Sequence, residues 1–231
     1  MNILSKLTGG RKAAAEADMS KKSKQQNLAI PIPKVSIDLI IVKLFESLID
    51  IEDDPEVMSI EGISKMSEDL GMDPSADVRL LVLLWKLGAN SKPGAITRKE
   101  FTTGMLALKM DSLADLKSLL PSLDPGFLEG PEFRTFYKFV FQFSREGTHK
   151  TIEKETVAAL LPIVLDSNRA PHLEPFLKYL QGCNHQRISL DQWDSFLQFN
   201  QSVKIDLSNY DEDGAWPLML DEYVEWRKKG A

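Results

Sequence analysis

At 231 residues, 43% hydrophobic and 27% charged, the chain is long enough to bury a real core in one or two domains, with the balance of an ordinary soluble protein. Its formal net charge of -6 speaks against duplex nucleic acid as a general partner, because phosphate binding needs a basic face, and favours proteins or peptides carrying Lys and Arg. The single cysteine, Cys183, excludes an intramolecular disulfide and points to a reducing compartment, and no apolar run reaches the roughly 18 residues of a membrane span.

Residues 1–35 are small, polar and basic, with Lys6, Arg11, Lys12, Lys21, Lys22 and Lys24 set against Glu16 and Asp18, and Pro31 and Pro33 near their end. They read as a disordered tail and extended linker. Lys21-Lys22-Ser23-Lys24 has the composition of a weak nuclear-import run, although such runs are commonly plain solvated tail.

From Ser36 onward apolar residues recur at spacings of three and four, while strict alternation is scarce, so residues 36–231 read as one all-α domain. Ile37, Ile40, Ile41, Leu44 and Leu48 mark the first helix after a Ser36 cap. Further helices are predicted near 60–70, 76–87, 97–108, 112–120, 130–145, 153–166, 172–181, 189–201 and 218–228.

A weak repeat underlies them: an Ile, a short polar cap, then a new helix, at Ile60, Ile96, Ile152 and Ile188. The first two and the last two are each 36 apart. An EF-hand loop carries such an apolar residue at its eighth position, so two helix-loop-helix pairs, one per half of the chain, are expected. Their metal chemistry is missing. Counting back from Ile96 leaves only Gly94 and Glu100 in place, with Ala89, Ser91 and Pro93 where ligands belong; around Ile188 the positions hold Gln181, Cys183 and His185. No loop of the four is expected to hold calcium tightly, and no cofactor is expected.

Acids and large aromatics are densest between Ile205 and Trp226. Asn209, Asp211 and Asp213 precede Gly214 as in the start of a calcium loop, but Leu220 stands where a bidentate Glu is needed and Pro217 interrupts. A turn that starts a helix at Pro217 explains the same residues, and the exposed acids and aromatics suit a basic protein partner. A calcium-responsive adaptor, and an unrelated helical scaffold for some other basic peptide, remain the alternatives from other classes.

Active-site patterns are lacking. His149, His172 and His185 are scattered, and Cys183, two residues from His185, is read as a small apolar residue rather than a nucleophile. No phosphate loop, nucleophile elbow or metalloprotease helix occurs.

Asp191-Gln192-Trp193, Ser208-Asn209-Tyr210-Asp211, Gly214-Ala215-Trp216-Pro217, Asp221 and the aromatic run Phe136 to Phe143 together resemble the defective-in-cullin-neddylation family and its potentiating-neddylation domain. The resemblance covers roughly residues 36–230. It implies a scaffold-type co-ligase, not an enzyme, that forms no thioester and holds a cullin beside the charged neddylation conjugating enzyme within a cullin RING ligase complex. By motif, Asp191, Ala215 and Asp221 would grip the winged-helix C-terminal region of the cullin. A second site for the acetylated N-terminal methionine of the conjugating enzyme would be an apolar pocket of Ile60, Ile63, Leu80, Leu84, Leu87, Phe143, Leu161 and Val164. Residues 1–35 are too few and too polar for the ubiquitin-associated domain of many relatives. They look instead like the short basic tails of members that tend to be nuclear, so nucleus or cytoplasm is expected, the nucleus favoured.

Overall fold

The computed structural model describes residues 36–50 and 54–230. The basic tail with its Lys21–Lys24 run and the Pro31–Pro33 linker lie outside the described residues. Among the described residues the chain forms ten α-helices and two short antiparallel strand pairs, an all-α protein as the periodicity predicts. In order they are α1 (Ile37–Leu48), β1 (Val57–Met58), α2 (Ile60–Leu70), α3 (Val78–Leu87), β2 (Ile96–Thr97), α4 (Arg98–Leu108), α5 (Leu113–Leu119) and α6 (Gly130–Phe143). The second half continues with β3 (Thr151–Glu153), α7 (Lys154–Val164), α8 (Leu173–Gly182), β4 (Arg187–Ser189), α9 (Leu190–Ser202) and α10 (Leu218–Lys228).

Local chemistry sets these boundaries. Asp77 accepts the Arg79 N–H to start α3, and Thr97 with Glu100, and Ser189 with Gln192, form reciprocal capping boxes that start α4 and α9. Gly71 and Gly88 stop α2 and α3 at φ of 80° and 78°, a left-handed turn that brings the next N–H back onto the last carbonyls.

Each strand pair ties two helix-loop-helix units. In the second half Ile152 faces Ile188, the pairing the repeat predicts. In the first half Ile96 faces Met58, not Ile60. Ile60 is instead the first residue of α2 and is 52% exposed, whereas Met58 is fully buried. The repeat spacing points to Ile60, two residues past the paired Met58, because an Ile at a helix start looks the same in sequence as an apolar residue in the strand before it.

The loop between α3 and β2 is closed by hydrogen bonds to one carboxylate. Glu100, at the twelfth loop position, accepts the N–H groups of Asn90 (2.9 Å) and Ser91 (2.8 Å) on one oxygen, and the N–H (2.9 Å) and hydroxyl (2.7 Å) of Thr97 on the other. Burial pushes its carboxyl upward, but the donors from Thr97 and Ser91 outweigh that and hold it below 4.5. Net of solvent exchange, a hydrogen bond to a charged group contributes roughly 1.5–3 kcal/mol, and with Glu100 only partly buried Glu100→Ala is expected to lower stability by about 2 kcal/mol in all. A depressed carboxylate stabilises the fold above its unfolded value and loses that contribution as pH falls. Urea titrations should therefore show the full deficit at pH 7 and a narrowing one below about pH 4.5, and a pH-independent deficit would contradict this account.

Packing joins the halves. α1 lies on α4, α3 on both α4 and α6, α6 on α9, and α10 on α8 and α9. Gly104 permits the α3–α4 approach: a Cβ there would lie 2.5 Å from the Leu87 Cα and carbonyl oxygen. At the α6–α9 seam Tyr137 and Trp193 stack at 4.5 Å and exchange hydrogen bonds, the indole N–H to the Tyr137 carbonyl (3.0 Å) and the phenol to the Trp193 carbonyl (3.1 Å). Both rings thus bury their area without an unsatisfied polar atom.

Candidate functional site

The acidic, aromatic stretch forms the loop from Val203 to Pro217 and the start of α10. Asn209 staples the loop: its carbonyl oxygen accepts the Lys204 N–H and its amide donates to the Ser202 carbonyl, each at 2.8 Å. One Asp211 side-chain oxygen accepts the Asp213 N–H (3.1 Å). These oxygens serve the turn, and among the described residues no group of three or more His, Cys, Asp or Glu side chains is arranged to hold a metal ion.

The loop rests on aromatic packing. Trp216 meets Phe199 edge-on at 5.4 Å, and Tyr210 lies 6.0 Å from the same ring. Gly214 makes the tight turn, since a Cβ there would come within 3.0 Å of the Asp211 carbonyl oxygen and 3.2 Å of the Trp216 ring. The next residue, Ala215, is thereby turned out and exposed.

Asp191 is exposed in the first turn of α9, and Asp221 is half-buried in the first turn of α10, where the positive end of each helix favours an acid. The two helix starts are neighbours, because Met219 borders the same small internal void as Gln192 and Trp193. Tyr210 donates its hydroxyl to one Asp221 oxygen. Nothing in the spacing of Tyr210 and Asp221 announced that bond. Asp194, one turn past Asp191, is committed elsewhere: Arg134 (2.7 Å) and Lys138 (3.4 Å) hold it, and against its burial they keep its carboxyl below the usual range.

A second feature is an apolar cavity of about 310 Å³ between the halves of the domain. Five of the eight residues expected there line it: Ile60, Ile63, Leu80, Leu84 and Phe143. Leu87, Leu161 and Val164 do not. Leu87 lines a separate groove with Ser91 and Glu100, Leu161 borders the internal void beside Trp193, and Val164 faces an adjoining cleft of about 720 Å³. On α7 the face toward the cavity belongs instead to Leu160 and Ile163, while Leu161 and Val164 are buried beside it. Leu81 and the turn Pro74–Asp77 complete the wall, and Asp77 on the rim is already paired with Arg79 at 2.5 Å.

Among the described residues, Cys183, His185 and His172 are engaged in separate contacts. Cys183 is half-buried with its sulfur against the Leu180 (3.5 Å) and His185 (4.0 Å) carbonyls rather than an imidazole. The His185 ring instead meets Glu222 at 2.8 Å. His172 is fully buried: its Nε2 donates to the Val203 carbonyl (3.1 Å), so Nδ1 accepts from the Tyr223 hydroxyl (3.0 Å), and burial holds its pKa below 6.5.

A helical frame carrying one acid-and-aromatic surface and one apolar cavity defines a protein-docking module. The family model described as "Cullin binding" matches residues 115–226, a span that contains Asp191, Ala215 and Asp221. Over 173 residues the chain is 37% identical to DCN1-like protein 5 of Rattus norvegicus, covering 75% of this chain and 72% of that protein. DCN1-like protein 5 of Homo sapiens is 36% identical over the same length, and DCN1-like protein 4 of Danio rerio 38%, with 61% of the latter covered. The chain belongs to the DCN1-like family and carries its cullin-binding domain.

Proposed function

We propose that this protein is a scaffold-type co-ligase of cullin neddylation: it binds the winged-helix region of a cullin and the conjugating enzyme together, so that the ubiquitin-like modifier passes to the cullin. The observation that carries the reading is the juxtaposed start of α9 and α10, with Asp191, Ala215 and Asp221, inside the span matched by the cullin-binding family. The two carboxylates suit Lys or Arg on the partner, and the exposed methyl allows close approach. A scaffold needs no nucleophile of its own, because orienting two reactants can supply roughly 7–11 kcal/mol of a bimolecular barrier.

The test is reconstituted cullin modification with and without the full chain. Acceleration by the unaltered protein, lost in Asp191→Ala combined with Asp221→Lys, supports the reading. An unchanged rate with the unaltered protein overturns it.

For the cavity, the acetylated N-terminal methionine of the conjugating enzyme is the proposed occupant. A free ammonium would have to shed water among Ile63, Leu80, Leu84 and Phe143, and the rim carboxylate of Asp77 is already neutralised by Arg79. An acetylated N-terminal peptide is therefore expected to bind at least about 100-fold more tightly than the same peptide unacetylated, by calorimetry or fluorescence polarisation. Equal affinities would remove this cavity from the mechanism.

A further inference from the structure

We propose that Tyr210 is a positioning residue for cullin docking: it fixes the Asp221 carboxylate through one oxygen and leaves the other aimed at a basic side chain of the partner. The inference rests on the docking surface proposed above. An Asp at a helix start ordinarily samples several orientations, and every orientation that faces away from the partner weakens binding. Here the Tyr210 hydroxyl donates to Asp221 Oδ1. That selects one orientation before the partner arrives.

The tyrosine can do this because its own ring is held by groups other than Asp221. Phe199 lies 6.0 Å from the ring on one side, and the Lys228 ammonium sits over it at 5.7 Å. Lys228 is in turn anchored by Glu212 at 2.5 Å, and the Tyr210 N–H bonds the Leu207 carbonyl at 3.1 Å. The hydroxyl also remains a donor at neutral pH. Burial first, then the bonded and nearby Asp221 carboxylate with Glu212 and Asp211, raise its pKa above the ordinary tyrosine value. Phenylalanine at this position keeps the ring packing and removes only the bond.

The experiment is a double-mutant cycle read by calorimetry, with the full chain and a cullin C-terminal domain, using Tyr210→Phe, Asp221→Asn and both together. Tyr210→Phe is expected to weaken binding about tenfold, equivalent to about 1.4 kcal/mol. In the Asp221→Asn background the same change should alter affinity by less than about twofold. A tyrosine acting only in loop stability would weaken binding equally in both backgrounds, and that result overturns the proposal. So does a phenylalanine variant that binds as tightly as the unaltered chain. Should the variant melt low, the cycle measured well below its melting temperature still decides, because coupling to Asp221 is the quantity read. Failure of the unaltered chain to bind the cullin domain sinks the docking function and this role together, whereas normal binding without coupling sinks this role alone.

Discussion

Arginine in place of Ala215 is expected to weaken binding to a cullin C-terminal domain at least about 100-fold while the melting temperature stays within about 2 °C. The two halves of that expectation have separate causes. Ala215 is exposed and makes no core contact, and the turn around it is built by Gly214, by the Asp211 backbone and by Trp216 against Phe199, none of which a side chain at 215 disturbs. Binding suffers because a long side chain fills the space where a partner must come close. Its guanidinium would also add positive charge to a surface proposed to receive Lys or Arg of the partner. Surface plasmon resonance for affinity and circular dichroism for the melt separate the effects. A collapsed melt would mean that the methyl packs rather than recognises.

The second large effect is on stability. Alanine is favoured over glycine inside a helix by roughly 0.8–1 kcal/mol, so propensity alone makes Gly104→Ala stabilising. The α3–α4 contact reverses the sign. The new methyl would lie 2.5 Å from the Leu87 Cα and its carbonyl oxygen, both backbone atoms that no rotamer change can move aside. Overpacking of that kind costs about 1–3 kcal/mol and occasionally more. A net loss of about 2 kcal/mol is expected, which at roughly 2–4 °C per kcal/mol lowers the melt by about 4–8 °C. Because α3 carries Leu80, Leu81 and Leu84 of the cavity wall, affinity for the acetylated peptide should fall in the same variant. A variant more stable than the parent would show that the helices separate freely.

Legibility in the sequence followed what each signal physically encodes. Periodicity located each α-helix among the described residues, because burial of one face is written at spacings of three and four. It could not say which of two apolar faces was core and which was cavity. On α7, Val157, Leu161 and Val164 are buried while Leu160 and Ile163 line the cavity, and all five are equally apolar on paper. The strand pair at Ile96 slipped for a related reason, since Met58 and Ile60 are alike in hydrophobicity and only tertiary pairing distinguishes them. Asp191 and Asp221 were singled out by motif, and each lies in the first turn of its helix. The Tyr210 bond was not, because side-chain geometry across an irregular loop has no period to read.

Glu100 has a consequence for control. In a signalling loop of this shape, geometry waits on an ion whose concentration changes. Here four donors from the same chain already occupy the carboxylate, so the loop closes through its own hydrogen bonds as the chain folds. The adjoining α3, with the cavity wall it carries, is correspondingly set once rather than toggled. If docking works as proposed, regulation through this half of the molecule falls to the visitors: how much partner is present, and whether its amino terminus is acetylated.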